Sequence, residues 1–139
     1  MSKDQNSGYP YLIAGPCAVE SFEMFDQIVQ FLSHKGIRLI RAGIFKPRTR
    51  AEDFQGLGFE GMEIVKEVKK RYQISVVSEI VDIRHLDRML ETVDILQVGA
   101  RNMQNYVLLK ELGKINVPIL LKRGISATIQ EFICASRYI

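Results

Sequence analysis

Residues 41–50, "RAGIFKPRTR", carry four permanent cations: Arg41, Lys46, Arg48 and Arg50. The stretch opens like a β-strand and breaks at Pro47. Arginine grips phosphate or carboxylate oxygens through a planar fork, and lysine acts as a point charge. Bringing such groups together away from water without an anion costs roughly several kcal/mol per ion. The pattern therefore asks for an anionic ligand. Arg101 in "QVGARNMQN" and Lys122 in "LLKRG" repeat the theme, each just after an apolar run. Cys17 in "AGPCAVES" adds a thiol in the same relation to its own run.

The elements that must position these groups follow a simple rhythm. Short apolar runs alternate with helical patterns. The expected strands are residues 11–18, 37–45, 75–80, 94–100 and 118–124. The helical patterns cover residues 21–36, 58–72, 83–92, 105–114 and 126–139. The first has Ser21 as N-cap, Gly36 as its stop and Phe25, Ile28, Val29 and Leu32 at core spacing. Ser126 or Thr128 caps the last, with Glu131 in its first turns. Five β-α units in succession predict an α/β fold with a parallel sheet, because parallel returns need long crossovers.

Side chains alternate along each strand. One face carries Ile13, Gly15 and Cys17; Leu39, Arg41, Gly43 and Phe45; Val77 and Glu79; Ile95, Gln97 and Gly99, with Arg101 beyond; and Leu120 and Lys122. It runs from apolar to polar toward the strand ends. The other face is mostly apolar, from Leu12 and Ala14 to Ile119 and Leu121, and suits packing under helices. Polar groups converging on the C-terminal ends of several strands are the pattern of a (β/α)8 barrel. The turn "AGPCAVES" lacks the glycines of a dinucleotide fingerprint, which disfavours the doubly wound alternative.

The chain has 139 residues, 47% hydrophobic and 25% charged, which suits a globular domain. Its net charge of +3 is too small to imply nucleic acid. No apolar stretch is long enough to cross a membrane. Residues 1–8, "MSKDQNSG", read as a flexible tail and not a signal peptide. Cys17 and Cys134 follow neither zinc nor disulfide spacing and fit a reducing, cytoplasmic setting. His34 and His85 fall in helical patterns, far from strand ends, and read as surface or helix-packing residues, whereas Cys134 reads as an apolar-face cysteine of the last helix.

In order along the chain, "AGPCAVES", "RAGIFKPRTR", "FQGLG" with "EG", "QVGARNMQN" and "LLKRG" resemble the first part of 3-deoxy-D-arabino-heptulosonate 7-phosphate (DAHP) synthase. The likeness is to the branch similar to 3-deoxy-D-manno-octulosonate 8-phosphate (KDO8P) synthase, and it runs from about Tyr11 to the last residue. It implies condensation of phosphoenolpyruvate with erythrose 4-phosphate, with release of phosphate, the first step toward chorismate and the aromatic amino acids. It further implies that Arg41, Lys46, Arg101 and Lys122 hold phosphoenolpyruvate, with Arg101 and Lys122 at the reacting centre. Pro47, Arg48 and Thr49 would receive the aldose phosphate. Cys17 would ligate a divalent metal, and a thiolate favours iron, zinc or manganese over magnesium.

The "KPRT" form separates the heptulosonate enzymes from the octulosonate relatives, which carry an asparagine-containing variant. Arg50 stands where the family usually has a small residue. The family's other metal ligands, a histidine, a glutamate and an aspartate, come from later strands. Residues 9–139 thus read as the N-terminal five-eighths of an aldolase-type barrel. The expectation is a chain inactive alone, with a metal bound only in the complete enzyme and open sheet edges that favour a homo-oligomer. The competing readings are a KDO8P synthase and a non-catalytic anion-binding remnant.

Overall fold

The computed structural model describes residues 12–139, so the expected tail at 1–8 and the start of the first strand lie outside the described residues. Five strands form one sheet in the order β1-β2-β3-β4-β5, every neighbouring pair parallel. They are β1 (Ile13–Ala14), β2 (Leu39–Arg41), β3 (Ser75–Glu79), β4 (Ile95–Val98) and β5 (Ile119–Leu121). The helices between and after them are α1 (Phe22–His34), α2 (Phe59–Tyr72), α3 (Leu86–Leu90), α4 (Tyr106–Leu112) and α5 (Ile129–Ser136). Short 3-10 turns, Ile83–His85 and Ala100–Asn102, follow β3 and β4. This is the expected run of five β-α units. No described helix is long and apolar enough to cross a membrane.

Local chemistry sets the helix ends. The Ser21 hydroxyl accepts the Met24 N–H at 3.2 Å, satisfying a first-turn donor. At the far end Gly36 N–H donates to the Ser33 carbonyl and Ile37 N–H to that of Leu32, closing α1 with a Schellman motif. Thr128 and Glu131 form a reciprocal capping box at the start of α5, which decides between the two expected caps.

The strands are shorter than their apolar runs. β1 stops at Ala14, β2 at Arg41 and β5 at Leu121. Cys17, Lys46, Arg101 and Lys122 therefore sit on the loops that leave the strands. Ladder pairing ends where the chain must turn outward toward the next helix.

Register aligns the two faces as the alternation predicts. Arg41 lies beside Val77 and Val77 beside Ile95; Glu79 lies beside Gln97 and Gln97 beside Leu120. On the opposite face Ile40, Val76, Leu96 and Val98 are fully buried. They join Phe25, Val29, Met62, Val65, Met89, Leu108 and Leu109 of the helices in one core. On the first face Val77 is buried, but Ile13, Leu39, Ile95 and Leu120 are only half-buried. That asymmetry, helices packed on one face of an ordered parallel sheet, is the geometry of part of a (β/α)8 barrel. Leu12 corrects an expectation: it is 62% exposed instead of packed under helices. It precedes β1, an edge strand whose ladder begins at Ile13.

Away from the strand ends, Asp94 locks the start of β4 to its surroundings. Its carboxylate accepts the Val76 N–H at 2.7 Å and the Lys69 ammonium at 2.8 Å, and Lys69 also donates to the Thr92 carbonyl. One half-buried carboxylate thus joins α2, β3 and β4. Asp94→Ala is expected to lower the unfolding free energy by about 2 kcal/mol, from lost charge-assisted bonds. Urea denaturation measures this, and an unchanged midpoint would remove the clamp from the account of stability.

A candidate anion site at the strand ends

The loop after β1 folds over the end of β2. Val19 N–H donates to the Gly43 carbonyl at 2.9 Å. A Cβ at Gly43 would strike the Cys17 carbonyl oxygen, so close approach requires glycine there. Arg41 reaches across, donating from Nε to the Pro16 carbonyl and from Nη2 to that of Gly15, each at 3.2 Å. Part of its fork is thus spent on holding the loop, and the rest remains available. Lys46 Nζ lies 3.1 Å from Cys17 Sγ. That contact holds the Cys17 thiol below its ordinary pKa, partial burial opposes the shift, and the charges of Lys46, Arg41 and Arg48 add to it.

The cationic segment is a closed loop. At its neck Lys46 N–H donates to the Gln55 carbonyl at 2.8 Å, and Gly58 N–H to the Ile44 carbonyl at 3.2 Å. Gly56 has φ 90°, and a Cβ there would strike the Ile44 carbonyl oxygen. Rings close the neck from below. Phe45 and Phe59 meet edge-on at 5.7 Å, and His85 stacks on Phe45 at 4.4 Å. Arg88 covers Phe59 at 3.7 Å.

His85 was expected to lie far from strand ends. The 3-10 turn after β3 instead brings it under the residue that precedes Lys46. Within the loop, Arg48 Nε donates to the Phe54 carbonyl at 3.2 Å, and its two terminal nitrogens form no hydrogen bond or ion pair among the described residues. Arg50 reaches Glu52 at 3.9 Å, and both are largely in solvent. Pro47 is half-buried, and Thr49 is exposed.

At the centre of the rim Gln97 Nε2 approaches Glu79 Oε2 at 3.4 Å, and the Glu79 carboxylate lies against Gly99. On the far side Arg101 and Lys122 are exposed. Arg101 lines a cavity of about 320 Å³ between the turn after β4 and the loop after β5. Met103, missed in the sequence, joins those two loops: its buried sulfur accepts the Gly124 N–H at 3.1 Å. No hydrogen bond or ion pair among the described residues links Arg101 or Lys122 to the Cys17–Lys46 group.

Arg41, Lys46, Arg48, Arg101 and Lys122 form no ion pair among the described residues, whereas Arg50 has Glu52. Such a rim is suited to bind anions. It does not form a complete metal site. No three His, Cys, Asp or Glu side chains gather among the described residues, and Cys17 can offer one thiolate only. Cys134 is exposed on α5, not buried on its apolar face. His34 is exposed in the last turn of α1, as expected.

Comparison with known proteins supplies the lineage. A profile of the DAHP synthetase I family matches residues 5–139. A phospho-2-dehydro-3-deoxyheptonate aldolase from Thermotoga maritima is 45% identical over 133 residues, covering 96% of this chain and 39% of that protein. A 2-dehydro-3-deoxyphosphooctonate aldolase from Francisella tularensis subsp. holarctica is 30% identical over 126 residues, covering 85% of this chain and 46% of that one. The crystal structure of the Thermotoga DAHP synthase superposes with a TM-score of 0.87 at 45% identity, over 95% of this chain and 38% of its own. A truncated form of 3-deoxy-D-arabino-heptulosonate 7-phosphate synthase from the same organism gives 0.83 at 42% identity, over 95% and 47%. The chain thus spans less than half the length of these relatives, and over that span sequence and fold agree that it belongs to the DAHP synthetase I family.

Proposed function

We propose that this chain carries the anion-holding part of a DAHP synthase site, which joins phosphoenolpyruvate to erythrose 4-phosphate. The supporting observation is the set of five cations at one rim of the sheet, none with a carboxylate partner among the described residues. Both substrates carry phosphate, and one also carries a carboxylate. The identity gap, 45% to a heptonate enzyme against 30% to an octonate one, favours the four-carbon aldose over a longer one. The "KPRT" form at residues 46–49 points the same way.

In this reading Arg41, Lys46, Arg101 and Lys122 hold the phosphate and carboxylate of phosphoenolpyruvate. The terminal nitrogens of Arg48 and the Thr49 hydroxyl take the phosphate of the aldose, above the turn stiffened by Pro47. The enol carbon then forms a bond to the aldehyde carbon, water adds at the neighbouring carbon, and phosphate leaves. The rim contributes by fixing two mutually repelling anions side by side and by balancing developing charge. Cys17 would supply one thiolate to a divalent iron, zinc or manganese ion. Since one ligand does not hold such an ion, no step here passes through it. A reducing compartment agrees with the two free cysteines.

Calorimetric titration of the 139-residue chain with each substrate tests these roles. Arg48→Ala is expected to weaken erythrose 4-phosphate binding by about one to two decades, from about 1.5–3 kcal/mol of charge-assisted bonding. Phosphoenolpyruvate binding should stay within about twofold of its original value, because no Arg48 contact to it is invoked. An equal loss for both substrates would refute the division of the rim. Lys122→Ala and Arg101→Ala should each weaken phosphoenolpyruvate by a similar one to two decades. Arg50→Ala, whose side chain already pairs with Glu52, should change neither affinity.

The Cys17–Lys46 pair predicts a pH shift. Lys46 holds the thiol pKa down, so Lys46→Met should raise it. In a Cys134→Ser background, the pH at which alkylation of Cys17 reaches half its maximal rate should move upward. A midpoint that stays put or falls would show that Lys46 does not stabilise the thiolate.

A further inference from the structure

The neck of the cationic loop is pinned by two backbone hydrogen bonds and by the Phe45–Phe59 contact. Within its crown, residues 47–54, Arg48 Nε donates to the Phe54 carbonyl and Asp53 N–H to that of Arg50, and the remaining order comes from the residue that follows. Gln55 sits at the neck and turns its side chain back into the crown. Its amide nitrogen lies 3.0 Å from the Asp53 carbonyl oxygen, 3.2 Å from that of Arg50 and 3.5 Å from that of Ala51. A primary amide has two hydrogens. The two shorter contacts are therefore hydrogen bonds, and the third shares a hydrogen. Its own backbone carbonyl meanwhile receives the Lys46 N–H. One residue thus ties the entry of the loop to its far side.

We propose that Gln55 is a positioning residue for the second substrate. It holds the crown so that the free end of Arg48 and the Thr49 hydroxyl face one point before any ligand arrives. The inference rests on the reading that Pro47–Thr49 receives the aldose phosphate. Its physical basis is preorganisation. A loose crown would be ordered at the moment of binding, and the lost entropy would be subtracted from the affinity for the ligand that the crown touches. Phosphoenolpyruvate, placed against Arg41, Lys46, Arg101 and Lys122, would not bear that cost. Gln55 touches neither substrate in this arrangement, yet it should tune one affinity and spare the other. A glutamine that merely supported the fold would affect both.

Two replacements of similar shape separate these roles. Gln55→Glu removes both donors and sets a carboxylate against carbonyl oxygens, and Gln55→Met removes the polar head. Each is titrated calorimetrically with erythrose 4-phosphate and with phosphoenolpyruvate, beside Arg48→Ala, in the 139-residue chain. Trypsin cleavage after Arg48 and Arg50 reports the order of the crown independently. Both Gln55 variants are expected to be cut several-fold faster and to bind erythrose 4-phosphate ~10-fold more weakly, with phosphoenolpyruvate within about twofold. Faster cleavage with unchanged erythrose 4-phosphate affinity would overturn the proposal, as would an equal loss for both ligands. If Arg48→Ala weakens erythrose 4-phosphate while the Gln55 variants do not, the proposal fails and the substrate reading stands. If Arg48→Ala leaves that affinity unchanged, the substrate reading fails and the proposal falls with it.

Discussion

Parallel pairing governs where every functional group in this protein lies. A strand that returns through a helix starts again at the same end of the sheet, so all five strands finish at one rim. In-register pairing then puts Arg41, Val77 and Ile95 on one face, with Glu79, Gln97 and Leu120 in the row beyond. Groups far apart in the chain thus come to share one row by topology. The helices that make the returns bury the opposite face, which supplies the apolar core. Site and core are two sides of the same sheet.

Gathering like charges at one rim carries a cost, and the structure shows how it is met. Arg41 is steadied by the carbonyls of Gly15 and Pro16, and Arg48 by that of Phe54. Lys46 faces a thiol whose ionised form its charge favours. Backbone carbonyls orient a guanidinium without neutralising it. The positive field therefore remains directed outward, where an anion can use it. Carboxylate partners would have satisfied the same hydrogens and cancelled the field. Such pairs occur elsewhere, at Arg71 with Asp26 and at Lys69 with Asp94, where the side chains serve packing between elements.

The loop between β2 and α2 shows how a flexible-looking segment becomes a receptor. Its ends are held by backbone bonds and by three packed rings, and its interior by the Gln55 amide, the Arg48 guanidinium and the Asp53 N–H. No hydrophobic run marks it in the sequence. Its order comes from polar contacts over short range and from aromatic contacts with His85, a residue on a different unit.

The order of elements, the parallel class, the two faces of the sheet and the cations at strand ends were all legible in the sequence. Periodicity reports burial directly, and motif order reports lineage. Strand limits were not. Pairing ends where the partner strand ends, and that depends on the neighbour. Leu12 looked like core because it is apolar, but its strand is an edge. Cys134 looked buried by helical spacing, yet it is exposed on α5. His85 and Met103 carried no signal at all, since a stacked ring and a sulfur acceptor are defined by partners from distant segments. Sequence by itself determined which residues could face a common rim, because alternation along a strand is a local property. Tertiary structure decided which of them touch, because contacts across β-α units depend on how the whole sheet is wound.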